Sequence, residues 1–311
     1  MSGFSALQRK VSSRVLSAAD LDSDEKVTLF DTKFSLYCQL ARMVMHENEI
    51  KFESHYVDLP NGEQLNPWFA RINPKMIIPS VEIGDGEVIN DSRIIMKHFD
   101  DKCPANQEKR VEEIMDICYS CDLGWFSTVA MKKHIWLWKM IQESGIMEKT
   151  VKKTILKLID ENPDLRDVYL EKLATSEKDV SAAHNLTRRE PVQKCLNDLA
   201  EVLKSRKPQE WASGPVFTRA DASIAIYVRW VKWQLAWDSS LLDLPPSLEK
   251  FYEEVKERPS FVKTLDVDIG KVGWVLLGWP AASRPEGPCC GCLQCFGWNQ
   301  LQPLLKMKQF Y

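Results

Sequence analysis

Two positions carry groups that could do chemistry at the start of a helix. Ser35 stands just ahead of a segment in which Leu36, Leu40, Met43 and Val44 recur at helical spacing, and Asp91-Ser92 stand ahead of another with Ile94, Ile95 and Phe99 apolar. A hydroxyl or carboxylate at such a place accepts from the first-turn amides, and the positive end of the helix dipole favours an anion there. Each is therefore a plain helix cap or part of an anion-binding site. Cys38, three residues after Ser35, takes the second place of a Cys-x-x-Cys pattern whose first cysteine is absent. That removes a dithiol mechanism and leaves Cys38 as a buried small hydrophobe or a lone redox thiol. Between Asn73 and Ser92 the chain sets Pro79 before a short apolar strand, a Gly84-Asp85-Gly86 turn after it, and Asp91-Ser92 where the next strand gives way to a helix. A small-molecule site could be built there.

The elements that would position these groups follow from periodicity. Val27 to Phe30 and Phe52 to Val57 read as strands, Leu65 to Ile72 as a short irregular helix, and Ile77 to Ile83 with Glu87 to Ile89 as a hairpin. The order β-α-β-α-β-β-α is complete by about residue 102. It predicts an α/β unit over 25–104 with a mixed four-stranded sheet. From Gln107 onward strand signals stop, which predicts an all-helical domain over 105–270 with a helical insertion near 145–190. Val111 to Gln142 reads as long helix, with Cys121-Asp122-Leu123-Gly124 as a place where it can bend, followed by Glu148 to Asn162, Asp164 to Lys178 and Pro191 to Arg206. Ala222 to Trp237 is so apolar that it belongs in the middle of a bundle. Thr218 and Asp221 stand at capping-box spacing before it.

A formal net charge of -3 in 311 residues lacks the surplus of Lys and Arg that a nucleic-acid binder needs, so a small ligand is expected. Of the nine cysteines, Cys38, Cys103, Cys118, Cys121 and Cys195 are scattered through predicted helices, and no secretory signal opens the sequence, which favours reduced thiols and a cytoplasmic location. Residues 1–24 read as a disordered N-terminus; Arg9, Lys10 and Arg14, five serines and no acid before Asp20 also fit a mitochondrial transit peptide. Residues 271–311 form a Cys-rich tail, where Cys289, Cys290, Cys292 and Cys295 suit S-acylation beside apolar anchors or have no chemical role. Their spacing does not suit zinc, and no metal is expected. Trp136, Trp138, Trp230, Trp233 and Trp237 read as core or as the wall of an apolar pocket.

Together Ser35 to Arg42, Asn73-Pro74 with Ile78 to Val81, Asp91 to Ile95 and Phe217 to Asp221 resemble the glutathione transferase superfamily over roughly residues 26 to 262. The closest likeness is to its ganglioside-induced differentiation-associated group, through Asn66 to Asn73 and Glu161 to Leu165. The resemblance implies a thioredoxin-like domain followed by a helical bundle, with glutathione as co-substrate and a hydrophobic electrophile as its partner. It implies that Ser35 is catalytic, that the Ile78-Pro79 bond is cis with Ile78 pairing the cysteinyl backbone, and that Asp91 and Ser92 hold the γ-glutamyl end. Many members place a Lys just before the cis-proline for the glycyl carboxylate. Met76 and Ile77 stand there, with Lys75 a displaced candidate. The resemblance also implies homodimers, and for the subgroup a catalytically weak adaptor of the mitochondrial outer membrane, here with the tail as a peripheral membrane contact.

Overall fold

The computed structural model describes residues 26–33, 35–84, 86–121, 123, 146–183, 189–236 and 238–265. The chain opens with β1 (Val27–Asp31), α1 (Leu36–Glu47), β2 (Glu53–Tyr56), α2 (Pro67–Ile72), β3 (Ser80–Ile83), β4 (Glu87–Asn90) and α3 (Ser92–Phe99). The sheet order is β2-β1-β3-β4, with β1 parallel to β2 and antiparallel to β3, and β3 antiparallel to β4. This is the thioredoxin-like unit with a mixed four-stranded sheet that the pattern predicts. The third strand starts at Ser80 and not at Ile77. The Ile78-Pro79 peptide is cis, and ladder pairing begins only where Ser80 meets Phe30 and Asn90.

Helices follow as α4 (Ala105–Tyr119), α5 (Ile146–Glu161), α6 (Arg166–Ala183), α7 (Arg189–Lys204), α8 (Arg219–Leu235), α9 (Pro246–Val255) and α10 (Pro259–Leu265). The predicted helix over Val111 to Gln142 differs at both ends. It starts at Ala105, and its first segment stops at Tyr119, where Ser120 turns back with its N–H on the Ile117 carbonyl. Residues 124–145 lie outside the described residues, as do 1–25 and 266–311 with the N-terminal and tail readings. Trp136, Trp138 and Trp237 lie outside them too.

One continuous core runs from β1, α1 and β3 through α3, α4 and α7 to α8 and α9. Helix α1 packs on α3, α8 and α10 besides the sheet. It is therefore buried nearly all round, including Gln39 and Arg42. Those polar side chains are paired where they are buried, as desolvation demands. Arg42 pairs with Asp31 and donates to the Thr264 carbonyl, while Gln39 Oε1 accepts from Arg229 (3.1 Å) and Trp230 (2.9 Å). Helix α8 is buried along most of its length. It starts at Thr218, whose N–H donates to Asp221 Oδ2 (2.9 Å) while its hydroxyl accepts from Ala220 N (3.3 Å). Burial lifts the Asp221 carboxyl to about 6.

Helices α5 and α6 make a second, smaller core. Ile155, Ile159, Leu165 and Tyr169 close over Leu65, Ala70 and Met76 of the first domain. Helices α5 and α6 thus pack on the stretch from Leu65 to Met76, in a cluster separate from the main core.

Candidate ligand-binding site

The sheet register gathers the candidate residues. Phe30, Ser80 and Asn90 lie in one cross-strand row. The chain beyond each of them, at that same end of the sheet, carries Ser35 after β1, Ile78-Pro79 before β3, and Asp91-Ser92 after β4. Antiparallel pairing fixes this placement, because β3 starts where β1 and β4 finish. Lys75 and Cys38 fall on the same side but in different environments.

Ser35 is the N-cap of α1, its Oγ accepting from Cys38 N at 3.4 Å. A cap uses only a lone pair, so the hydroxyl proton can still be donated to a bound anion. Cys38 is wholly buried. Burial first, then the Asp31 carboxylate, pushes its thiol up to about 12, against the hydrogen bond from the Ser35 side. A thiol in that state is not a nucleophile near neutral pH, and the lone-redox reading of Cys38 finds no support in its surroundings.

Around the cis bond the loop is held by side chains. Asn73 Nδ2 donates to the Ile77 carbonyl (2.6 Å) and to Ser80 Oγ (3.0 Å), and Lys75 N donates to Asn73 Oδ1 (3.0 Å). Met76 has φ 52°, with its side chain sunk in the α5–α6 core. Ile77 is 42% exposed. Ile78 precedes the strand ladder, which leaves its backbone able to meet an added extended peptide.

Asp91 caps α3, its Oδ1 accepting from Arg93 N at 2.8 Å, and has φ 84°, ψ 124°. A non-glycine residue there is uncommon and concentrates at ligand sites, since something must compensate it. Asp91 is exposed, whereas Ser92 is buried with its Oγ 2.8 Å from the Tyr119 hydroxyl. Burial raises the Tyr119 phenol above its usual range, against the Ser92 bond. It therefore keeps its proton at neutral pH. The two hydroxyls share one proton between them and hold a second that can be donated outward. Tyr119 is a site residue that sequence reading missed; its partner lies 27 positions away, and nothing local to Tyr119 signals it.

Beneath α3 lies an ion network. Arg93 reaches Glu112 (2.5 Å) and Asp116 (2.7 Å), and Lys97 reaches Glu108 and Glu112. The buried Arg219 closes it on Asp100 (3.1 Å), Glu108 (2.7 Å) and Glu112 (2.9 Å). The start of α3, and with it Asp91 and Ser92, is thereby tied to α4 and α8. Among the described residues no cluster of metal ligands occurs and no helix is long and apolar enough to cross a membrane.

Residues 34–102 match the family model described as "Glutathione S-transferase, N-terminal domain", and residues 163–265 match "Glutathione S-transferase, C-terminal domain". Among curated proteins the chain is 34% identical over 82 residues to "Glutathione S-transferase 1" of Dianthus caryophyllus, covering 26% of this chain and 37% of that protein. It is 33% identical over 62 residues to "Protein LigF" of Sphingobium sp., covering 20% and 24%. The matched segments thus span little more than a third of the first relative and about a quarter of the second. Similar solved structures include the beta-etherase LigF from Sphingobium sp., with TM-score 0.54 and 16% identity over 77% of this chain and 98% of that one. A glutathione transferase from Pseudomonas putida with glutathione disulfide bound gives TM-score 0.50 and 18% identity, over 78% and 92%. At such identities the likeness is one of fold.

Proposed function

This chain belongs to the glutathione S-transferase superfamily, and on that premise we propose that it binds glutathione and conjugates its thiolate to a hydrophobic electrophile. The observation that carries the reading is the cross-strand row Phe30–Ser80–Asn90, at whose end Ser35, Ile78 and Asp91-Ser92 meet. Ile78 pairs the cysteinyl backbone as an added strand would. Asp91 takes the γ-glutamyl ammonium, and Ser92, Tyr119 and the first amides of α3 take its carboxylate. The thiol then lies at the N-terminus of α1, where the dipole and the Ser35 proton favour thiolate, its proton leaving to solvent. Sulfur attacks the electrophilic carbon, the C–S bond forms, and the displaced electron pair leaves with the leaving group or moves onto the acceptor's own unsaturated system.

Calorimetry of the full chain with glutathione, followed by conjugation of a generic electrophile, tests this. Binding in the micromolar to millimolar range, weakened about tenfold or more by Ser92→Ala, is expected. No heat up to millimolar glutathione overturns it.

One observation favours a second reading: Ile77, exposed and apolar, stands where a cation would meet the glycyl carboxylate. In that reading the chain keeps the fold as a catalytically weak adaptor. The Asn66 to Asn73 and Glu161 to Leu165 segments support assignment to the ganglioside-induced differentiation-associated group, with a mitochondrial outer-membrane location and contact through the tail. The transferase reading carries a cytoplasmic location. A folded chain that ignores glutathione and sediments with mitochondria separates the two.

A further inference from the structure

Three cysteines meet where α4 ends. Cys118 stands on its last turn and Cys121 just beyond it, and Cys195 comes across from α7, which packs along α4. All three belong to the main core, Cys118 at 0%, Cys121 at 7% and Cys195 at 1% exposure. Cys195 Sγ donates to the Ile117 carbonyl at 3.3 Å, the same oxygen that accepts from Ser120 N (3.1 Å) and Ser120 Oγ (2.7 Å). A thiol of α7 thus helps close the turn at which α4 stops. The same thiol is hydrogen-bonded to Cys121, and that bond first, then burial, pushes the Cys195 thiol far above its ordinary range. Cys195 therefore keeps its proton and offers it to the Cys121 sulfur. In such a coupled pair the sulfur that receives the bond ionises first, and Cys121 is also the more exposed of the two. Two sulfurs already in contact need only a short approach to reach the ~2 Å of a disulfide.

We propose that Cys121 and Cys195 are a redox pair, oxidised by a hydroperoxide to a disulfide that staples the end of α4 to α7. The Cys121 thiolate attacks the peroxide: an S–O bond forms, the O–O bond breaks, and the alcohol, or water from hydrogen peroxide, leaves with the proton that Cys121 gave up. The Cys195 sulfur then attacks the Cys121 sulfenic acid. The S–S bond forms, the S–O bond breaks, and hydroxide takes the Cys195 proton and leaves as water. Two thiols lose two electrons, and the hydroperoxide is reduced to an alcohol and water. Ser120 N and Oγ still donate to the Ile117 carbonyl after Cys195 has left it, so the turn survives. The staple fixes the stretch from Ile117 to Cys121, which includes Tyr119 with its hydroxyl 2.8 Å from Ser92. None of these steps uses glutathione.

Peptide mass spectrometry on the full chain, treated with hydrogen peroxide and then alkylated, reads the bond directly. A linked peptide pair holding Cys121 and Cys195 is expected, two hydrogens lighter than its separate halves and released by dithiothreitol. Cys121→Ser should abolish it and leave Cys195 open to alkylation. In Cys195→Ser the reaction should stop at a Cys121 sulfenic acid, which dimedone traps. Circular dichroism checks that both variants fold. Because the bond closes a long loop, the oxidised chain should melt at a higher temperature than the reduced one, and Cys195→Ser should lose that shift. Full alkylation of Cys121 and Cys195 in the unaltered chain, after a dose that oxidises free cysteine in the same tube, overturns the pair. So does linkage of Cys121 to Cys118 in its place. A chain that carries the bond and melts no higher overturns the staple.

Discussion

The two ends of the proposed glutathione site are built in opposite ways. At one end, proposed above for the γ-glutamyl group, Asp91 and Ser92 are neighbours in sequence, and they stand on a base of ion pairs that joins α3 to α4 and α8. At the other end the loop 73–77 brings no fixed charge to the position next to Ile78, and its supports arrive from α5 and α6 roughly a hundred residues on. The first end lies over the main core. The second lies over a separate small core.

The largest effect that would break this contrast comes from the base under α3. Arg219→Ala leaves Asp100 buried without its guanidinium, and removing one partner of a buried pair costs about 3–5 kcal/mol. Urea unfolding should record that loss across the whole chain, with α3, α4 and α8 failing together. A midpoint unchanged by the substitution would mean the base holds nothing. Acid attacks the same network. Burial alone would raise the Glu112 carboxyl, but hydrogen bonds from Arg93, Lys97 and Arg219 bring it down to about 2. A carboxyl depressed in the fold stabilises it fully above its ordinary value near 4.5 and loses that contribution as pH falls from there toward 2. The urea midpoint should therefore drop across that interval, and Glu112→Gln should flatten the slope over it.

The same contrast decides what the chain reveals before it folds. Alternation, the Gly84 to Gly86 turn and the helix-start residues Ser35, Asp91 and Thr218 are local, and they carry the sheet and the capping box, whereas the cis bond at Pro79 follows from the family resemblance. Ser80 shows the limit of local reading. An apolar run continues back to Ile77, yet strand pairing waits for Ser80, because the residues before it turn through the cis bond under the grip of Asn73. The long helix expected from Val111 ends at Tyr119, where Ser120 turns back on the Ile117 carbonyl, next to the Cys121 to Gly124 stretch where the sequence offers a bend. Cys38 reads from sequence as hydrophobe or redox thiol, and only burial beside Asp31 separates the two. Tyr119 is illegible for the plainest reason. It is one polar residue on a helix, and its meaning lies in a partner 27 positions away.

The smallest effect is the sharpest test of whether α5 and α6 are a separate unit. Tyr169→Phe keeps the ring in the small core and removes only the hydroxyl that donates to the Leu65 carbonyl. Burial pushes the Tyr169 phenol up to about 12, so it remains a donor throughout the neutral range and the loss is the same at any pH there. One such bond is worth about 1 kcal/mol. If α5 and α6 open independently, hydrogen exchange should quicken about fivefold in 146–173 while amides of α1 and α8 keep their protection. If amides everywhere quicken alike, α5 and α6 unfold only with the whole chain. The two ends of the proposed site would then belong to one rigid body.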